Sequence, residues 1–99
     1  MTDDPKRPPY RVRNFPTARL FLNGTRVEQA LAIEREAREV FLALEESDQA
    51  LAMEVWDTIH ACETMLAMLE IAGVDVGMAR SDVVMKNIDR GYYQEAPRG

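Results

Sequence analysis

The distribution of proline constrains the fold of this 99-residue chain more than any other feature. Four of the five prolines lie within residues 1–24, and none occurs between Thr25 and Ala96. Proline removes a backbone donor and favours extended neighbours, so residues 1–24 are predicted to form a proline-rich irregular arm. Residues 25–93 lack any alternating run of β-branched residues and are rich in helix formers, which predicts an all-α domain. Residues 94–99 are predicted to be a disordered tail.

Short polar side chains mark where the first two helices begin. Thr25 followed by Glu28 is the pattern of a capping box, so the first helix is predicted to start at Thr25 and to end near Glu46. Ser47 is the predicted cap of a second helix that begins at Asp48. Because only a short turn joins them, the two helices are predicted to form an antiparallel hairpin.

Two glycines mark the predicted ends of the later helices. Gly73 supplies a left-handed stop, so the second helix is expected to end at about Ala72. Asp75 is the predicted cap of a third helix, which runs to about Arg90 and ends before Gly91. The predicted architecture is therefore a helical hairpin plus a third helix.

The first two helices carry more apolar surface than they can cover in one chain. A stripe on the first helix is predicted to face the core: Ala30, Ile33, Ala37, Val40, Phe41 and Leu44. The second helix is apolar on most sides, including Leu51, Val55, Trp56, Ile59, Met65, Leu66 and Met68. A chain of this length buries only roughly 65% of its unfolded surface. We therefore expect a homodimer or homotetramer that completes the helical bundle.

Charge and cysteine content exclude several classes of function. The net charge of −5 argues against stable binding to nucleic acid, whose phosphates need cationic partners. No segment approaches the roughly 20 apolar residues that span a membrane. The single cysteine, Cys62, cannot form an intramolecular disulfide, and the chain does not begin with a secretory leader pattern, so a cytoplasmic location is expected.

Two acidic pairs are the strongest sign of chemistry in the sequence. Glu36 and Glu39 on the first helix, and Glu54 and Asp57 on the second, are each spaced i, i+3, so the members of a pair share a helix face. The pairs lie at similar distances from the turn and can converge across the hairpin. Carboxylates at ~4 Å repel by about 4 kcal/mol at an effective dielectric of ~20, so the cluster predicts bound Mg²⁺. The alternative is a solvated charged face.

A basic and aromatic segment, KNIDRGYY, follows the two acidic pairs. The order is E-x-x-E (Glu36, Glu39), a gap of 14 residues, E-x-x-D (Glu54, Asp57), a helical stretch and then this segment. It resembles the MazG-like all-α nucleoside triphosphate pyrophosphohydrolases and their phosphoribosyl-ATP pyrophosphohydrolase-like relatives. The resemblance extends over residues 27–93, about two thirds of the chain. It implies a hydrolase that uses Mg²⁺ to cleave a nucleoside triphosphate to a monophosphate and pyrophosphate.

The resemblance also implies a role for each acidic residue. Glu36, Glu39, Glu54 and Asp57 would hold the metal ions, and either Glu36 or Glu39 would orient or deprotonate the attacking water. This division of labour agrees with the chemistry, because metal ions neutralise phosphate charge and lower the pKa of a bound water.

The last helix offers candidate substrate-binding residues. Lys86 and Arg90 are spaced i, i+4 and, with Asn87 beside Lys86, supply donors for the phosphates; the alternative is that they are ordinary cations at a helix C terminus. Tyr93 either covers a bound nucleotide or docks the chain end onto the bundle.

Several features leave alternatives open. Many members of the resembled family have another helix before the E-x-x-E helix, so here either the arm or a neighbouring subunit completes the base pocket. His60 is either a structural residue or a phosphate donor, and Trp56 either packs a subunit interface or stacks on a base.

The competing function is that of a catalytically silent helical oligomer. Such a protein keeps the packing of the family and acts as a structural, regulatory or nucleotide-binding module. Formation of monophosphate and pyrophosphate from nucleoside triphosphates in the presence of Mg²⁺ distinguishes the hydrolase from the silent oligomer.

Overall fold

The computed structural model describes residues 14–94, and every regular element within this range is helical. No strand occurs in these residues, which confirms the predicted all-α class. Three α-helices, named α1 to α3, and two short 3₁₀ turns follow one another in the order 3₁₀ turn Arg19–Phe21, α1 Arg26–Leu42, 3₁₀ turn Ala43–Glu45, α2 Asp48–Ile71 and α3 Val76–Asp89.

The predicted caps of α1 and α2 are confirmed. The Thr25 hydroxyl accepts from the Glu28 backbone N–H at 3.0 Å, and the Glu28 carboxylate accepts from the Thr25 N–H at 2.8 Å. The hydrogen bond from the Thr25 backbone N–H to the Glu28 carboxylate, with a smaller contribution from the Thr25 side chain, holds the pKa of Glu28 below its usual value. The Ser47 hydroxyl accepts from the Ala50 N–H at 3.1 Å and starts α2. The α-helical pattern of α1 stops at Leu42, because the last turn before Ser47 tightens to 3₁₀ geometry.

Glycine ends α2 as predicted. Gly73 has a φ of 92°, a left-handed conformation that a side chain would resist. The Asp75 carboxylate then accepts from the Met78 N–H at 2.9 Å and caps α3. Gly91, with a φ of 76°, follows the end of α3 in the same way.

The described chain divides into two compact units, residues 14–74 and residues 75–94. The first contains α1, α2 and the segment that precedes them, and the second contains α3 and the turn after it. Residues 1–13 and 95–99 lie outside the description, and with them most of the predicted arm and tail. In the rest of the arm, residues 14–24 are irregular apart from the turn at Arg19–Phe21.

The helices α1 and α2 form the predicted antiparallel hairpin. Near the start of α1, the buried Gln29 donates from its side-chain Nε2 to the carbonyl oxygen of Ala61 at 2.9 Å. Further along α1, Glu36 meets Glu54, which lies earlier in α2. The later residue on α1 therefore meets the earlier residue on α2, so the two helices are antiparallel.

The predicted core stripe of α1 is only partly correct. Ile33 and Val40 are half-buried, but Phe41 is 69% exposed and Leu44 is 60% exposed. A hairpin of two helices leaves one side of each helix uncovered, so much of the apolar stripe faces outward within this unit. Within residues 14–94, no helix combines the length and the apolar character needed to cross a bilayer.

Candidate functional site

Three of the four predicted metal ligands come together between α1 and α2. Glu36, Glu54 and Asp57 each offer a carboxylate oxygen, and these oxygens lie within 4.8 Å of one another. Glu54 and Asp57 share a face of α2 because they are one turn apart, and the antiparallel register brings Glu36 beside them. Glu36 and Glu54 are half-buried, whereas Asp57 is exposed. We call these three residues the acid triad.

Negative charge is concentrated at the acid triad. Partial burial raises the pKa of Glu54 above its usual value, because desolvation disfavours the charged carboxylate. Further increases come, in decreasing order, from the negative charges of Asp57, Glu39, Glu36 and Glu46. Glu39 therefore acts electrostatically on Glu54, but it does not belong to the group of three whose oxygens meet. A bound cation would relieve this repulsion.

A cleft of about 290 Å³ extends from the acid triad along the hairpin. Its volume is near the lower end of the roughly 300–1,000 Å³ typical of ligand sites. The helices contribute residues at successive turns, and the lining comprises Gln29, Ala32, Arg35 and Glu36 from α1, Asp57, His60, Ala61 and Thr64 from α2, and Ala18 and Phe21 from the preceding segment. The cleft thus has an acid end, and its remainder mixes apolar side chains with Gln29, Arg35, His60 and Thr64.

The segment before α1 begins with Asn14 and Phe15, which line a cavity with Asp57. It reaches the far part of the cleft at Ala18, which lies beside Thr64. Ala18 and Phe21 line the cleft from this segment, and the Phe21 side chain is 57% exposed. We call residues 14–21 the wall segment. This segment belongs to the predicted arm, so part of the arm lines the cleft.

One carboxylate on α2 anchors the start of the wall segment. Glu63 Oε2 accepts from the backbone N–H of Asn14 at 3.0 Å and from the Asn14 side-chain Nδ2 at 2.9 Å. Glu63 Oε1 accepts from the backbone N–H of Phe15 at 3.2 Å. Three donors therefore converge on one side chain, and hydrogen bonds to an ionised acceptor are stronger than those between neutral groups.

Aromatic contacts reinforce the same anchor. The Phe15 ring stacks on the His60 imidazole, with centroids 4.7 Å apart and planes 20° apart. The same ring meets Trp56 edge-on, at 5.6 Å and 73°. The Nε2 atom of His60 is buried and has no hydrogen-bond partner within the described residues. His60 and Trp56 therefore both contact Phe15 of the wall segment in their own chain.

The other predicted substrate-binding residues belong to the second unit. The Asn87 side-chain Nδ2 donates to the Tyr93 hydroxyl oxygen at 3.4 Å. The Arg90 guanidinium donates to the Tyr92 hydroxyl oxygen at 3.4 Å and lies 5.8 Å from the centre of that ring. Lys86 is exposed on the last turn of α3. Asn87, Arg90 and the two tyrosines thus form one group at the end of α3.

Gln29, Arg35 and Phe21 line the cleft, although they are not among the predicted site residues. Gln29 lies seven residues before Glu36, two turns along the same helix face, and this spacing was an available signal. Arg35 is next to Glu36 but carries no distinguishing pattern. Phe21 lies in an irregular segment, where periodicity gives no signal about direction.

Comparisons with models of protein families, with curated proteins and with solved structures find no match to this chain. No family is shown for this chain, and the resemblance to the MazG-like enzymes stays a prediction from the sequence.

Proposed function

We propose that this protein is a Mg²⁺-dependent nucleotide pyrophosphohydrolase, which converts a nucleoside triphosphate to a monophosphate and pyrophosphate. The observation that carries the proposal is the acid triad at one end of a cleft of about 290 Å³. The spacing of the acidic pairs, which resembles that of the MazG-like enzymes, supports the same reaction.

The chemistry of the donor set fits Mg²⁺. Hard oxygen ligands from carboxylates suit this ion, which leaves other coordination positions for water or phosphate oxygens. Partial burial and neighbouring negative charges raise the pKa of Glu54. A cation bound at the acid triad would reduce the repulsion among these carboxylates. When bound, Mg²⁺ would neutralise phosphate charge and lower the pKa of a water molecule. Glu36, Glu54 and Asp57 would hold it, with Glu39 beside them.

In the proposed reaction, water adds to the α-phosphorus of the triphosphate. The bridging P–O bond breaks, pyrophosphate leaves with the bond electrons, and the proton of the water passes to a carboxylate. Glu36 or Glu39 is the proposed acceptor of that proton. No oxidant or further reactant is required.

The remainder of the cleft suits the nucleoside part of the substrate. Phe21 offers an aromatic ring for a planar base, and Ala32 and Ala61 leave room for the base between the helices. Arg35 adds a positive charge at the cleft. Lys86, Asn87, Arg90 and Tyr93 stay proposed substrate-binding residues on the basis of the sequence alone, with Lys86 and Arg90 as cations suited to phosphate oxygens.

We also propose that the protein assembles in the cytoplasm as a homodimer or homotetramer. A groove of about 550 Å³ on the side of α2 away from the cleft is almost wholly apolar, with Val40, Val55, Ile59 and Leu66 among its lining residues. A second copy of the chain would remove this surface from water.

The test is a panel of ribonucleoside and deoxyribonucleoside triphosphates, incubated with purified protein and Mg²⁺ and separated by chromatography. Equal amounts of monophosphate and pyrophosphate are expected, and excess chelator should stop their formation. Orthophosphate as the first product would contradict the proposal, because a different bond would have been cleaved.

A nucleotide-binding module without turnover is the second candidate. The observation that favours it is that Glu39 lies outside the acid triad. In that case calorimetry would detect binding of the triphosphate with Mg²⁺, while chromatography would show no products.

A further inference from the structure

We propose that Glu63 is a positioning residue, which controls substrate affinity by holding the wall segment in place, although it touches no substrate. This inference rests on the proposed function, since it concerns the binding of the nucleotide in the same cleft. It assigns a role to a residue that belongs neither to the acid triad nor to the lining of the cleft.

The geometry of Glu63 points to this role. Both of its carboxylate oxygens are occupied by donors from Asn14 and Phe15, at distances of 2.9 to 3.2 Å. These donors are 48 and 49 residues away in sequence, so the bonds fix the position of an otherwise irregular segment on α2. The Phe15 ring contacts with His60 and Trp56 act on the same part of this segment, which lacks the regular backbone pairing of a helix or strand.

The consequence of the anchor appears farther along the wall segment. Ala18 and Phe21 lie three and six residues beyond Phe15 and line the cleft. If Phe15 leaves α2, these two residues lose their fixed position relative to the acid triad. The substrate would then lose contacts with its nucleoside part. Asn14 and Phe15 line a neighbouring cavity together with Asp57, but the carboxylates keep the positions that α1 and α2 give them.

Glu63→Gln tests the proposal with little change in volume. The amide retains one acceptor oxygen, but its NH₂ group faces backbone donors that it cannot satisfy. We expect KM for the best triphosphate to rise roughly tenfold, as expected for loss of stacking on one base, with kcat within about twofold. Asn14→Ala removes only one of the three donors and should raise KM by roughly two- to fourfold. Glu34→Gln, an exposed glutamate on α1, is the matched control and should leave KM unchanged.

Trp56 provides a readout that is independent of turnover. It is the single tryptophan of the chain and contacts the Phe15 ring edge-on. Trp56 is already 47% exposed, and release of the wall segment would expose more of the indole. Glu63→Gln should therefore shift the emission of Trp56 slightly to longer wavelength, and Glu34→Gln should not. Far-ultraviolet circular dichroism of both variants should match the wild type, which shows that the hairpin remains folded.

The outcomes separate this inference from the proposed function. An unchanged KM in Glu63→Gln overturns the inference, whether or not the emission of Trp56 shifts. If the wild type forms no monophosphate and pyrophosphate, the proposed function fails, and the affinity for a nucleoside monophosphate, measured by NMR titration, replaces KM. Weaker binding by Glu63→Gln than by Glu34→Gln then supports the inference, and equal binding or no binding by the wild type overturns it.

Discussion

The two ends of the cleft are built in different ways. At the acid end, α-helical spacing alone places Glu54 and Asp57 on one face, and the antiparallel hairpin brings Glu36 to meet them. At the other end, the wall segment is irregular, and its position depends on Glu63 and on the Phe15 ring. The acid end is therefore set by a repeating local geometry, and the wall end by a few individual contacts. Substitutions at the two ends should have different consequences.

The largest effect is expected at the acid end. Asp57→Asn and Glu39→Gln each remove a charge with little change in volume, and each should lower kcat/KM at least about a hundredfold, because a metal site loses a ligand or a proton acceptor. Steady-state kinetics with Mg²⁺ measures this effect, and circular dichroism checks the fold. Full activity in Glu39→Gln alone would restrict the metal site to the acid triad.

At the wall end, a smaller effect on affinity is expected. Phe21→Ala removes the aromatic surface and should raise KM roughly tenfold while changing kcat by less than about twofold. Phe21→Tyr keeps the ring and should behave as the wild type. A fall in kcat at constant KM would contradict the proposed separation of the two ends.

The junction between the two regions offers a stability test. The capping box at Thr25 starts α1 directly after the wall segment, and Thr25→Ala should lower the free energy of unfolding by about 1 kcal/mol. Urea denaturation measures this loss, and Thr25→Ser is the control because it keeps the hydroxyl. The pKa of Glu28 is lowered in the folded state, so its stabilising contribution exists above its ordinary pKa and disappears as the pH falls through the lowered pKa. Thr25→Ala keeps the backbone N–H, which is the larger cause of the lowered pKa, and removes only the side-chain contribution, so its loss of stability should be only slightly smaller in acid.

The smallest effect concerns the pH dependence of the acid end. Because the pKa of Glu54 is raised on folding, its contribution to stability is complete below its ordinary pKa of about 4.5 and is lost as the pH rises through the raised pKa. Without divalent cations, Glu54→Gln should therefore have a higher Tm than the wild type at about pH 7, and the difference should vanish at about pH 4.

Mg²⁺ supplies the complementary measurement for Glu54. The cation should raise the Tm of the wild type at about pH 7 more than that of Glu54→Gln, because ligand binding to the folded state stabilises it. Differential scanning calorimetry with and without Mg²⁺ measures both shifts. Equal shifts in the two proteins would argue against Glu54 as a metal ligand.

Local signals account for what was predictable in this fold. Thr25, Ser47 and Asp75 each accept a hydrogen bond from the backbone N–H three residues later, and such an interaction depends only on nearby sequence. The meeting of Glu36 with the second acidic pair was also predictable, because a short turn leaves two helices little choice but to pack antiparallel. The outward position of Phe41 could not be predicted in this way, because it depends on how many helices surround α1.

The sequence by itself determined the helices, their caps and the face on which the acidic pairs lie, because helical periodicity and capping act over a few residues. Only the tertiary structure decided that Asn14 and Phe15 bind Glu63, and that Phe21 therefore lines the cleft. The physical reason is the sequence separation over which the interactions act. An irregular segment has no period to reveal its direction, and its partner lies on a helix almost fifty residues away, so only the packed hairpin brings the donors to their acceptor.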